Sequence, residues 1–167
     1  MKQRSLIYTL FILFWLLVDF AVQSLANQRL FGPIVFVSQL HFLALLLMTN
    51  IEDRKEIVIK VLIISFIIGL FHYNSFPVFY ISYGLSAILV RIWYRHIGST
   101  LVETMVLMAF GLFAKEMFLF GSLWVFLGTR YSLVSFLTTR SMIVLLGNLV
   151  LFPLVYTSFK YIQKQVD

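Results

Sequence analysis

Apolar residues run through this chain in long blocks, broken by short polar clusters. The blocks lie near Leu6–Ala26, Ile34–Asn50, Ile57–Tyr73, Phe76–Tyr94, Leu101–Val125 and Phe136–Phe159. The clusters between them read "NQRLFGP", "EDRKE", "HYNSFP", "RHIGST" and "GTRYS". A helix needs about 20 apolar residues to cross the hydrocarbon of a bilayer, within a range of roughly 17–25. All six blocks reach that length, the second and third at its short end. None keeps the period-two alternation of apolar and polar positions that a membrane barrel strand requires. The pattern predicts an all-α integral membrane protein: one six-transmembrane-helix bundle over residues 1–167. The connecting segments are too short to fold by themselves, and no repeat, linker or low-complexity tract divides the chain.

Composition agrees with the pattern. The chain is 61% hydrophobic and 12% charged, where a soluble domain carries about 45–50% apolar and about 25% charged residues. It has no cysteine, hence no disulfide frame, thiol nucleophile or cysteine metal site. The net charge of +6 does not point to nucleic acid, because the basic residues flank apolar runs and form no aromatic-basic groove.

That flanking charge sets an orientation. With the N-terminus inside, the inner side receives Lys2, Arg4, Arg54, Lys55, Lys60, Arg91, Arg95, Lys160 and Lys164, and the outer side Arg29, Arg130 and Arg140. Basic residues concentrate on the cytoplasmic side of membrane proteins. The expectation is a multi-pass protein of the cell membrane with both termini cytoplasmic. Lys60 and Arg91 are expected to snorkel from just inside the inner boundary. "MKQRS" and the small-x-small triplet Ser24–Ala26 imitate a signal peptide, but the apolar run between them is long and Asp19 interrupts it. The first helix is therefore expected to be retained.

The candidate chemistry is the set of polar residues inside the blocks. A charge at a helix centre costs about 2.5–3.5 kcal/mol on insertion scales, and such groups face other helices or water. Asp19 lies slightly outward of the middle of the first block, Lys115 and Glu116 slightly outward of the middle of the fifth. Neighbours on a helix point about 100° apart, so Lys115 and Glu116 are not expected to face each other. Asp19 is a candidate partner for Lys115 at similar depth. Arg140, which opens the sixth block, is a candidate partner for Glu116. These groups read first as interhelical packing devices and second as a transport or proton-relay site. His41, His72 and His96 have no metal-ligand spacing and read as ordinary hydrogen-bonding residues. Ser82, Gly84 and Ser86, and also Gly111 and Gly147, permit close helix approach. Trp93, Tyr94 and Trp124 suit the interfacial belts, whereas Trp15 falls near mid-span. No phosphate loop, nucleophile–histidine–acid set or zinc motif is present, and no cofactor is expected.

Taken in order, these elements resemble the MreD family, the small polytopic subunit of the bacterial rod-shape machinery. The likeness is carried by "LLVDF" with Asp19, by "HFLALLLMTNIEDRK", by "IIGLFHYN", by "AKEMFLFG" with Glu116, and by "RSMIVLLGN" with Arg140 and Asn148. It departs where the family's acid at the end of the third span falls near Tyr73 and its proline in the sixth near Ile143. The resemblance implies a non-enzymatic scaffold that binds an MreC-like bitopic membrane protein. It further implies MreB filaments at the inner face and peptidoglycan synthesis by a RodA-type glycosyltransferase with its transpeptidase. It also implies a fold similar to the substrate-binding subunits of energy-coupling-factor transporters, so a vitamin-binding transporter subunit is the alternative. Those subunits carry an Ala-x-x-x-Ala face on their first helix. Here Ala21 and Ala26 are five apart at the outer end. An enzyme acting on lipid-linked substrates would need acid and base groups at the inner face, where "EDRKE" reads as a solvated turn.

Overall fold

A computed structural model describes residues 2–29, 36–71, 76–96, 100–128 and 132–166. All secondary structure among them is helical: α1 (Lys2–Arg29), α2 (Leu40–Met48), α3 (Arg54–Phe71), α4 (Phe76–Tyr94), α5 (Leu101–Leu127), α6 (Leu133–Phe136) and α7 (Met142–Val166). A single π-helical turn, Leu137–Ser141, joins α6 to α7. Four stretches are long and apolar enough to cross a membrane: Arg4–Leu25, Phe76–Tyr94, Leu101–Phe126 and Leu133–Val166. The chain is thus a multi-pass helical membrane protein.

The helices are apolar on both faces, which suits a bundle with lipid outside it. On α1, Tyr8, Ile12, Trp15 and Asp19 turn inward, while Leu6, Leu10, Phe14 and Leu17 stay more than half exposed. On α7, Val144, Asn148, Phe152, Val155 and Phe159 are buried, while Leu146, Val150 and Leu154 look outward. Local chemistry fixes the ends of α5. Thr100 accepts the Glu103 N–H and the Glu103 carboxylate accepts the Thr100 N–H, a reciprocal cap. At the other end Gly128 takes φ 59°, the left-handed turn that glycine allows without penalty.

Packing arranges five of these helices around the sixth. The short helix α2 touches α1, α3, α4, α5 and α7. All nine of its residues are buried. Helix α5 packs on α4 and α7, and α3 on α4. Close approaches occur at glycines: a Cβ on Gly69 would lie 2.9 Å from the Phe76 Cα, and one on Gly111 would lie 2.6 Å from Leu46 Cδ1. A Cβ on Gly147 would meet Phe36. Tyr8 and Phe11 on α1 face Phe159 on α7, so the start of α1 and the end of α7 lie at the same end of the bundle.

The second block departs from its expected form. The sequence predicts one helix over residues 34–50. Residues 34 and 35 lie outside the described residues, Phe36–Gln39 are not helical, and the helix is nine residues long. At 1.5 Å per residue that is about 13 Å, less than half of a hydrocarbon core of about 30 Å. The other blocks keep their places, α3 as Arg54–Phe71 and the last as the helical run Leu133–Val166. The expected "HYN" ending of the third block, with His72, Tyr73 and Asn74, lies outside the described residues, as does Arg130.

Candidate functional site: a buried polar layer at the break before α2

A non-helical stretch inside an apolar bundle leaves backbone N–H and C=O groups without partners. Each such group costs several kcal/mol in hydrocarbon unless the protein supplies one. The polar residues of the apolar blocks supply them here. Asn148 on α7 stands beside the stretch like a short strand: its Oδ1 accepts the Gln39 N–H at 2.6 Å and its Nδ2 donates to the Val37 carbonyl at 2.9 Å. The same amide donates to the Val144 carbonyl on its own helix at 2.7 Å.

Asp19 caps the half-helix. Its carboxylate accepts the Leu40 and His41 N–H groups, both at 2.8 Å. It also accepts the Ser38 hydroxyl and the His41 ring at Nδ1. The first N–H groups of a helix have no partner within it, and the helix dipole favours a negative charge there. Asp19 meets both needs from another helix and is itself buried. Because the carboxylate accepts, His41 Nδ1 carries a proton. Nε2 lies 2.8 Å from the Tyr83 hydroxyl on α4. The chain Asp19–His41–Tyr83 thereby ties α1, α2 and α4 together.

Glu116 is the second hub. Its Oε1 accepts from Lys115 Nζ at 2.6 Å and from Gln39 Nε2 at 2.9 Å. Its Oε2 accepts from Arg140 Nε at 3.1 Å. Arg140 sits in the π-helical turn and is about one-third exposed, while Lys115 and Glu116 are buried. The Lys115 ammonium also lies over the rings of Phe42 and Tyr83, at 5.9 and 5.7 Å from their centroids, within the range of a cation–π contact.

Five residues singled out from sequence therefore meet in one layer: Asp19, Lys115, Glu116, Arg140 and Asn148. The Glu116–Arg140 pair forms as expected. The pairing of Lys115 with Asp19 does not; Lys115 bonds its neighbour Glu116. The 100° rule describes where a side chain leaves the helix, and the four-carbon stem of a lysine is long enough to bend back across that angle. Sequence reasoning missed Ser38, Gln39 and Tyr83, and assigned His41 no particular place. The signal was available in "VSQLH", three polar residues among four positions of an apolar block.

A second buried pair lies toward the end of the bundle that holds the start of α1. Lys60 on α3 donates to Glu52 at 2.7 Å and to Ser5 on α1 at 2.9 Å. Arg91 on α4 donates to the Glu52 carbonyl at 3.1 Å. Two expectations are corrected. Lys60 does not snorkel, because it faces α1 and the turn after α2 and is buried. Glu52 is not part of a solvated turn, although its neighbours Asp53, Arg54 and Lys55 are exposed. Burial pushes the Glu52 carboxyl above its ordinary value, with Lys60 pulling against the rise.

Among the described residues, no group of three or more His, Cys, Asp or Glu is placed to hold a metal ion. What the polar layer can do is fix shape. Its acids are spent on the chain's own donors and hold the break in α2 against α1, α4, α5 and α7. No family model, curated protein or solved structure matches this chain.

Proposed function

We propose that this protein is a non-enzymatic membrane scaffold of the MreD type, binding an MreC-like bitopic partner and helping to organise peptidoglycan synthesis. The observation that carries the reading is that the two acids of the polar layer are engaged by the chain's own donors. Asp19 and Glu116 between them receive Ser38, Gln39, Leu40, His41, Lys115 and Arg140. Such a network serves a single fixed arrangement of helices, which a scaffold needs more than it needs chemistry. In this reading the chain crosses the cell membrane six times with both termini in the cytoplasm. The second crossing is composite. Phe36–Gln39 adds at most roughly 13 Å to the half-helix, since Gln39 with ψ 35° is not extended. MreB filaments and a RodA-type synthase with its transpeptidase are the further partners of the proposal.

The transporter alternative has one observation in its favour. Broken helices whose N-termini point into the bundle receive anionic substrates in transporters, and α2 is such a helix. Here the carboxylate of Asp19 occupies that place, which favours the scaffold.

The test sets partner against ligand. The full chain is co-expressed with an MreC-like bitopic protein, purified, and assayed for the retained partner and for bound vitamin. Retention of the partner, lost together with thermal stability in Lys115→Leu and Glu116→Leu, is the expected outcome. Variants that stay stable and keep the partner but abolish uptake of a small molecule would overturn the scaffold reading.

A further inference from the structure

A groove of about 670 Å³ lies between α3 and α4, lined from Arg54 to Val61 on one and from Tyr80 onward on the other. That is the size of an ordinary small-molecule site, roughly 300–1,000 Å³. Its shape and its lining are those of an amphiphile. Val58, Val61, Gly84, Leu85 and Ile88 make an apolar trough, and Val58 and Ile88 are 43% and 45% exposed. Arg54, Arg91 and Arg95 close one end, with His96 beside them. Among the described residues no Asp or Glu lines the groove. Arg91 is engaged with the Glu52 carbonyl, whereas Arg54 and Arg95 are exposed at the rim.

The groove follows α4 from Tyr80 to its end at Tyr94, about 21 Å at 1.5 Å per residue, and Arg95 and His96 lie in the turn beyond. One leaflet supplies about half of a 30 Å hydrocarbon core, so the trough spans a leaflet and its basic end reaches headgroup depth. We propose that this groove binds an anionic phospholipid, its acyl chain along α4 against Val58 and Ile88, its phosphate between Arg54 and Arg95. Charge complementarity selects the occupant. A zwitterionic lipid brings a choline cation beside its phosphate and no net charge to offset the guanidinium groups, and an apolar partner helix brings no anion at all, whereas basic pockets between membrane helices take acidic headgroups. Gly84 keeps the floor open: a Cβ there would stop at ordinary contact, 3.9 Å from Val61 Cγ1, but a large side chain would fill the trough.

The experiment uses the full chain in detergent, titrated with phosphatidylglycerol or phosphatidylcholine, with bound copies counted by native mass spectrometry. One phosphatidylglycerol should be held at least about tenfold more tightly than phosphatidylcholine, each basic group near the surface being worth a factor of about five. Arg54→Gln with Arg95→Gln should abolish that preference. Gly84→Trp should abolish binding of both lipids, and Val58→Trp on the opposite wall should do the same if Gly84→Trp fails to fold. Gly84→Ala should bind as the parent does. Equal affinity for the two lipids in the parent would overturn the proposal. So would a preference that survives either the double arginine variant or the filled groove, or a groove protected by a co-purified polypeptide instead of lipid.

Discussion

Replacing Asp19 with alanine removes the acceptor of four hydrogen bonds at once. Their losses differ. The Ser38 hydroxyl and the His41 ring can rotate toward other partners. The Leu40 and His41 N–H groups cannot, because the helix behind them fixes their direction. A stranded buried donor costs about 1–3 kcal/mol, so two of them cost about 2–6 kcal/mol. Asp19→Asn keeps one carbonyl oxygen and should lose about half of that. The assay is reversible unfolding of the full chain in mixed micelles, with the free energy read from the denaturant midpoint. Coupling supplies a second reading. Ser38→Ala should cost about 1 kcal/mol in the parent and close to nothing when Asp19 is already alanine, since the two side chains share one bond. An Asp19→Ala protein within about 1 kcal/mol of the parent, or full additivity with Ser38→Ala, would refute the role of Asp19 as the cap of α2.

Glu116→Gln should cost about 3–5 kcal/mol, because it leaves the buried Lys115 ammonium without its carboxylate; Lys115→Met with Glu116→Gln should be more stable than Glu116→Gln alone, as thermal unfolding can check. Gly69→Ala should destabilise by about 1–3 kcal/mol, because its Cβ would lie 2.9 Å from the Phe76 backbone and backbone cannot swing aside; a variant with the parent's midpoint would contradict the close approach of α3 and α4. The raised Glu52 carboxyl favours the folded state in its protonated form. That contribution is full below the ordinary glutamate value of about 4.3 and is lost as the pH rises through the raised value. Glu52→Gln should flatten this part of the stability profile, and a profile unchanged by the substitution would count against it.

The multi-pass helical character was readable because apolar length is a property of the chain itself. The fourth block, Phe76–Tyr94, coincides with α4. The second block misled for a definite reason. Hydropathy counts carbon, and it cannot say whether the backbone closes its own hydrogen bonds or borrows partners from elsewhere. The borrowed partner of Gln39 stands 109 positions away, at Asn148, beyond any local pattern. Charges inside apolar blocks were legible as costs, so Asp19, Lys115, Glu116 and Arg140 could be singled out, while Asn148 came forward only through the family resemblance. Of their partners, Arg140 for Glu116 was legible, whereas those of Asp19 and Lys115 were not, because depth along a helix is readable and rotation about it is not. Lys60 shows the same limit: its depth suited snorkelling, but its side chain points to Ser5 and Glu52.

The break before α2 also orders events during synthesis. A half-helix of nine residues is too short to leave the translocon as a stable span. The amide that satisfies Gln39 is added 109 residues later. At about 5–20 residues per second the gap is roughly 5–20 s. Over that interval the nascent second segment carries open hydrogen-bonding groups next to lipid or the insertion machinery. The arrival of the last helix is then the step that commits the whole chain to its final form, and a ribosome stalled before Asn148 would hold an assembly still missing its clasp.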